Sequence, residues 1–302
     1  MTKLAVLLPC FNEETTIGKV IRDFRRVLPD AEIYVYDNNS TDRSRAVAEA
    51  EHAVVRHVSR QGKGFVVRQM FQEVDADCCI LADSDDTYPA EAAPQLIEPI
   101  LSGEADMVCG DRLSTTYFQE NPRKLNSFGN RLVCSLIRVL FGQKVSDVMT
   151  GYRAFSRRFV RNYPVLCSGF ELETEMTLFT LDLRLNLVEI PVAYRDRPEG
   201  SHSKLNPVRD GFHVLKTIFL LLKNYRPFFT FGTAGFVLLL IAAGFFVPIF
   251  CDYVRTGLVP RFPTLFCSIF LAVIGVLFMI CGIILHTVKY YFDRIFELNL
   301  KR

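Results

Sequence analysis

The chain of 302 residues is long enough for one large domain plus an accessory segment, and 50% of it is hydrophobic. Its 35 Lys and Arg against 33 Asp and Glu leave a net charge of +2, which gives no bulk-charge reason to expect nucleic acid as a partner. The nine cysteines are odd in number, sit mostly in apolar runs and lack paired metal spacing, so they read as small buried hydrophobes of a reducing compartment.

Met-Thr-Lys leads straight into a strand-like run, without the basic, apolar and cleavage regions of a signal peptide, so residues 1 to about 208 are expected to stay where they are made. Apolar runs of strand length then alternate with helical patterns, which predicts an α/β domain with a parallel sheet. Leu4 to Leu8 is a first strand, closed by Pro9, and Thr15 to Arg26 a helix with Ile17, Val20, Ile21 and Phe24 on one face. A second strand spans Glu32 to Tyr36, and capping residues after it precede a helix near Arg43 to Glu51. Val54 to Val58 is a third strand, followed by Gly62-Lys63-Gly64 and a helix over Val66 to Val74. The fourth is Cys79 to Ala82. Beyond it the pattern is less regular, with strands in MVCG and LVEIPVAY and helices around Asn126 to Phe141 and Glu171 to Leu183.

Asp210 to Tyr225 mixes apolar bulk with Lys and His, as a helix lying on a membrane surface does, although an ordinary core helix has the same pattern. From Pro227 through Cys251, and again from Phe262 through Val288, there is no Asp, Glu, Lys or Arg. Each stretch exceeds the ~20 residues that cross a bilayer as a helix. Lys216, Lys223 and Arg226 before the pair, and Lys289, Arg294, Lys301 and Arg302 after it, outnumber Arg255 and Arg261 in the connecting loop, so both ends are expected on the cytoplasmic side. The expected division is thus an α/β domain over 1–208, a surface helix over 209–226 and a hairpin over 227–302, with spans at about 228–251 and 263–288.

Four polar clusters follow the early strand ends, where open α/β sheets bind their ligands. Pro9-Cys10-Phe11-Asn12-Glu13-Glu14 also fits a turn and helix start, Asp37 to Asp42 also fits a capping turn, and Gly62-Lys63-Gly64 lacks the full spacing of a phosphate-cradling loop. Asp83-Ser84-Asp85-Asp86 is harder to explain structurally. Three acids after a buried strand suit hard-oxygen ligation of Mg²⁺ or Mn²⁺ that also holds a substrate's phosphates.

In order, Pro9-x-x-Asn12-Glu13-Glu14, Asp37-Asn38-x-Ser40-x-Asp42, Gly62-Lys63-Gly64 and Asp83-x-Asp85 resemble the nucleotide-sugar half of a family 2 glycosyltransferase with the GT-A fold. Gly110-Asp111-Arg112, Asp147-x-x-Thr150-Gly151-Tyr152-Arg153-Ala154-Phe155, Glu189-Ile190-Pro191 and Arg197-Pro198-Glu199-Gly200-Ser201-His202-Ser203-Lys204 extend the resemblance to the polyprenyl-phosphate glycosyltransferases. That group includes dolichyl-phosphate mannose synthases and bacterial undecaprenyl-phosphate sugar transferases, and the similarity covers roughly residues 3 to 208.

The resemblance implies roles. Pro9, Phe11, Glu13 and Asp37, with Asp42 and Lys63, would bind the nucleotide sugar, and Asp83 and Asp85 would hold the metal against its diphosphate, Asp85 the closer. Arg112, Arg153, Arg197 and Lys204 would meet the donor diphosphate and the acceptor phosphate. Asp147 would orient an acceptor-side arginine or assist a proton transfer. The implied reaction is inverting, metal-dependent sugar transfer from a UDP- or GDP-linked donor to a polyprenyl phosphate at the membrane, and the hairpin leaves room for a homo-oligomer. Two departures stand out: Thr87 replaces a glutamine usual beside the metal, leaving Asp86 as a candidate extra ligand, and Gly169-Phe170-Glu171-Leu172-Glu173 is acidic where mannose synthases tend to carry a lysine, so that the acids there would instead bind sugar hydroxyls.

Two rivals share part of the pattern. Processive polysaccharide synthases have a similar first half but end their site with Gln-x-x-Arg-Trp, and this chain has no tryptophan. A non-catalytic nucleotide-sugar-binding scaffold would have no need for clustered aspartates and arginines.

Overall fold

The computed structural model describes residues 2–114, 124–165, 172–195 and 222–300. Two compact units divide the chain, Met1–Gly211 and Phe212–Arg302.

The first unit is built on seven strands: β1 (Leu4–Cys10), β2 (Glu32–Asp37), β3 (Val54–His57), β4 (Cys78–Leu81), β5 (Met107–Asp111), β6 (Arg153–Ser156) and β7 (Leu187–Pro191). They lie side by side as β3-β2-β1-β4-β6-β5-β7. The first four are parallel, β6 runs antiparallel to both its neighbours, and β7 is parallel to β5. Because a strand's side chains alternate between faces, β1 feeds two cores at once. Val6 and Leu8 pack on one face with Ile17, Ile21 and Phe24 of α1 (Ile17–Val27), and with Leu96 and Ile100 of α4 (Ala93–Leu101). Ala5 and Leu7 pack on the other face with Val66, Val67 and Met70 of α3 (Lys63–Glu73), and with Phe155 and Phe159. Each such aliphatic side chain removed from water contributes about 1.5–3 kcal/mol.

The central strand β4 has all four residues buried. Burial pushes its Cys78 and Cys79 thiols up to about 12, so both are inert apolar filling, as the cysteine usage predicts. The sheet's remaining cover includes α2 (Ser44–Ala50), α5 (Lys124–Phe141), α6 (Arg157–Asn162) and α7 (Leu172–Asp182). Sequence periodicity does not reveal β6: four residues beginning with arginine and ending with serine carry no strand signature. Its start matters most for the site, because an antiparallel β6 brings the loop before it to the edge where the parallel strands end.

The second unit holds α8 (Pro227–Thr256) and α9 (Phe262–Leu300), with mean hydropathies of 2.5 and 2.9 over their best windows. They are the two long apolar helices of a transmembrane hairpin. The left-handed Gly257 (φ 69°) closes α8, its N–H donating to the Tyr253 carbonyl at 2.8 Å. Gly235, Ala242 and Ile249 of α8, and Ser268, Gly275 and Gly282 of α9, are buried at seven-residue intervals. A Cβ on Gly235 would stand 2.6 Å from the Gly275 carbonyl oxygen, so the backbones meet there. At 39 residues α9 is about 58 Å long, more than the ~30 Å hydrocarbon layer needs.

Candidate active site

The register pairs Cys10 of β1 with Asp37 of β2, so the loops after those strands lie together. They are sewn to each other. Asn12, in the left-handed region (φ 55°), donates its N–H to Ser40 Oγ at 3.0 Å and accepts the Thr41 N–H at 2.8 Å. Glu13 N–H donates to Ser44 Oγ at 2.8 Å, and Glu14 N–H to Asp42 Oδ2 at 3.1 Å. Burial works against the charge on Asp42, but hydrogen bonds from Ser44 and from backbone N–H groups outweigh it and hold this carboxyl below its ordinary range. Asp42 is therefore a brace between the two loops. Asp37 is buried, with Ser40 N–H on one oxygen at 3.2 Å and His57 Nδ1 3.6 Å from the other. Pro9, Phe11 and Glu13 stand half-buried beside it.

Lys63 opens α3, just after Gly62, whose φ of 135° lies outside the range that other residues readily adopt. Its Nζ donates to Asp83 Oδ1 at 2.6 Å and to Glu173 Oε1 at 2.7 Å. Burial penalises the ammonium, yet the two carboxylates more than compensate, so its pKa is raised and it stays charged. Glu173 lies in the first turn of α7 with its side chain 7% exposed. The sequence reading offers this acidic run to sugar hydroxyls and does not pair Glu173 with Lys63, since 110 residues separate the two.

The three aspartates after β4 part company. A Cβ on Gly151 would come within 2.5 Å of Asp83 Oδ2, so this glycine makes room for the carboxylate. Asp85 is buried, and its Oδ1 accepts the Thr87 hydroxyl at 2.6 Å and the Thr87 N–H at 3.2 Å. Thr87 thus orients an acid. Asp86, expected as a candidate extra ligand, is instead held by Lys19 of α1 at 2.6 and 2.7 Å, from a left-handed residue (φ 60°) that turns the chain. Among the described residues no group of three or more His, Cys, Asp or Glu side chains is arranged to hold a metal. Two hard carboxylates suit an ion of the Mg²⁺ class, which binds through one or two acids and fills its other positions with water and phosphate oxygens.

At the end of β5, Arg112 Nε and Nη2 donate to the two oxygens of Asp147 at 2.7 and 3.1 Å. Asp147 is fully buried, and its own N–H donates to Glu189 Oε1 at 3.2 Å. Desolvation raises the Glu189 carboxyl's pKa even though it accepts the Ser146 and Asp147 N–H groups. Tyr88, buried, joins this side to the aspartate loop: its hydroxyl accepts the Gly151 N–H at 3.0 Å, and its ring meets those of Tyr152 and Tyr194. Nothing in the sequence marks Tyr88 except its place beside the aspartates.

Arg153 requires a correction. It was expected to meet a phosphate, but it is 0% exposed and donates to the carbonyls of Thr150 (2.9 Å) and Val148 (2.6 Å), to Thr177 Oγ1 (2.9 Å) and to Met107 Sδ (3.5 Å). The guanidinium is walled in by the protein and pins the loop that carries Asp147. Arg197, Lys204 and most of the expected surface helix at 209–226 lie outside the described residues.

Carboxylates, an ammonium and an arginine gathered at the ends of parallel strands form a site for a charged, phosphorylated ligand. A family model described as glycosyl transferase family 2 matches residues 5–163. The chain belongs to that family. Within it, the chain is 34% identical over 234 residues to glycosyltransferase AglJ of Haloferax volcanii, covering 77% of this chain and 76% of the relative. A dolichyl-phosphate hexose transferase of the same organism is 32% identical over 215 residues, 71% of this chain and 92% of the relative. Among solved structures, glucosyl-3-phosphoglycerate synthase of Mycobacterium tuberculosis, in complex with Mn²⁺, UDP-glucose and phosphoglyceric acid, has a TM-score of 0.58 and 25% identity. That match covers 74% of this chain and 79% of the synthase. The protein is thus a GT-A glycosyltransferase, an enzyme of nucleotide-sugar chemistry that carries a transmembrane hairpin.

Proposed function

We propose that the protein transfers a sugar, with inversion, from a UDP- or GDP-linked donor to a polyprenyl phosphate, giving a polyprenyl-monophosphate sugar. The observation that carries this reading is the placement of Asp83, Asp85 and Lys63 on one edge of the sheet with the Arg112–Asp147 pair. A dolichyl-phosphate hexose transferase among the relatives, alignable over most of its length, supports the lipid acceptor.

In this reading Pro9, Phe11, Glu13 and Asp37 line the base and ribose pocket, with Asp42 holding its two loops in register. Asp83 and Asp85 would hold Mg²⁺ or Mn²⁺, the latter present together with UDP-glucose in the mycobacterial synthase complex, and the charge stabilisation supplied there would favour departure of the nucleoside diphosphate. Thr87 fixes the Asp85 carboxylate in place. The acceptor's phosphate monoester carries about −1.5 to −2 charges near neutral pH and needs no strong base to attack the anomeric carbon. Arg112 orients it, itself held by bidentate contact with Asp147, and Arg197 and Lys204 add positive charge on the acceptor side. Asp147, committed to Arg112 and fully buried, acts by orientation rather than as a base. Anchoring by the hairpin keeps enzyme and lipid acceptor in one membrane and so raises their effective concentration.

The test is transfer of labelled sugar from a panel of UDP- and GDP-sugars to undecaprenyl and dolichyl phosphate by the detergent-purified chain, with Mg²⁺ and with EDTA. Label extracted into the organic phase, and lost with EDTA, supports the reading. Soluble polymer or free sugar overturns the acceptor, and nucleotide binding without transfer from any donor favours a scaffold.

A further inference from the structure

We infer that Glu173 is a positioning residue that draws the Lys63 ammonium away from Asp83, and so frees that carboxylate for the divalent cation. The inference rests on the proposed metal at Asp83 and Asp85.

Lys63 Nζ is shared almost evenly, 2.6 Å from Asp83 and 2.7 Å from Glu173. The two partners are not equivalent. Asp83's side chain is 30% exposed at the open edge of the sheet, whereas Glu173's is 7% exposed at the start of α7. A cation arriving from solvent therefore meets Asp83 first, and with it the ammonium already bound there. Two positive charges beside a third repel, and inside a protein that repulsion is screened far less than in water. An ammonium is a compact point charge on a flexible stem with rotatable donors, so it can drop one carboxylate and keep another. Glu173 is the partner it keeps, a deep counter-ion that leaves Lys63 charged and paired while Asp83 turns to the metal. Without Glu173, the same ammonium has Asp83 as its remaining partner in this pair of contacts, and it competes with the metal directly. Asp85 is held separately at Oδ1, which accepts the Thr87 hydroxyl and N–H. Glu173 thus raises metal affinity without being a ligand, and Lys63 lowers it.

The experiment measures Mn²⁺ binding to the full chain in detergent, without nucleotide, by electron paramagnetic resonance of the free ion. Lys63→Met is expected to tighten Mn²⁺ about tenfold, and Glu173→Gln to weaken it about tenfold in the Lys63 background. In the double variant the Glu173 change should matter less than about twofold, because the ammonium it restrains is gone. Equal weakening by Glu173→Gln in both backgrounds would mean a direct ligand or a plain loss of negative charge, and overturns the inference. So does a Lys63→Met variant that binds no tighter than the parent. Circular-dichroism melting checks each fold, and Lys63→Gln replaces the methionine variant if that one does not fold. Asp85→Ala separates the two claims: unchanged Mn²⁺ affinity there sinks the metal assignment itself, whereas its loss together with an additive Lys63 and Glu173 cycle sinks this inference alone.

Discussion

The two units of the molecule bury opposite things. In the catalytic head the interior holds Leu7, Leu8, Ile21, Phe24 and Phe155, and the buried Arg153 and Asp147 are both hydrogen-bonded. In the hairpin the interior seam holds mostly small residues, Gly235, Ala242, Ser268, Gly275 and Gly282 with Ile249, while Phe236, Leu240, Phe270 and Val273 are outside. Water drives large apolar side chains inward. Lipid does not, so helices there associate through close backbone approach and small residues. One consequence is that the same substitution should have opposite costs in the two units.

The largest effect belongs to the head's charged edge. Asp85→Ala should cut sugar transfer at least about 100-fold, the scale seen when a group stabilising developing charge is removed. The readout is lipid-linked product per minute, and retention of a tenth of the activity would contradict the role. Next, the two arginines should separate. Arg153→Ala should lower the head's stability by about 3–5 kcal/mol, through a cavity and two orphaned carbonyls, as read by chemical denaturation. Arg112→Lys should cost less stability, about 1–3 kcal/mol as the buried Asp147 loses one of its two contacts, yet reduce kcat/KM for the lipid about tenfold or more, since an ammonium cannot repeat the fork that meets Asp147. If both variants lose stability equally, the distinction between a buried pin and a phosphate-facing arginine fails.

In the hairpin, Gly235→Leu should force the helices apart and reduce the yield of protease-resistant protein in detergent, because its Cβ alone would meet the Gly275 carbonyl at 2.6 Å. Leu240→Ala, on an exposed position, should cost less than about 0.5 kcal/mol. A reversed order would mean that the hairpin packs as a water-soluble core does.

A modest effect in the head concerns Asp42. Its folded pKa lies below the unfolded value of 3.8, so it binds fewer protons when folded and contributes stability above that value. This contribution is lost as pH falls through the lowered folded pKa. Asp42→Asn should therefore lower the melting temperature by about 2–4 °C at pH 7, and by progressively less as the pH falls below about 4. A difference that persists undiminished at pH 2 would show that shape, not charge, makes the brace.

Much of the head was legible in the sequence because its first four strands are short, apolar and closed by polar residues that have no other reason to be clustered. Asp83 and Asp85 stood out for the same reason: three acids next to a fully buried strand are costly unless something positive meets them. Asp86 looked equivalent to them in sequence. It differs only because a left-handed residue at that position turns its carboxylate to Lys19, 67 residues away. Arg153 misled for a related reason, since a guanidinium beside phosphate-binding motifs looks the same whether it faces a ligand or the core.

The strand-end clusters, the family resemblance and the two charge-free spans are each written in local pattern or composition. Tertiary structure decided which side chains share a partner. An antiparallel four-residue β6 carries the Asp147–Gly151 loop back to the edge where Asp83 and Arg112 emerge, and only that return makes the Arg112–Asp147 pair and the space for Asp83. Likewise Lys63 meets Glu173 across 110 residues. Such contacts follow from strand order, and strand order is set by which faces can be buried together rather than by any one segment.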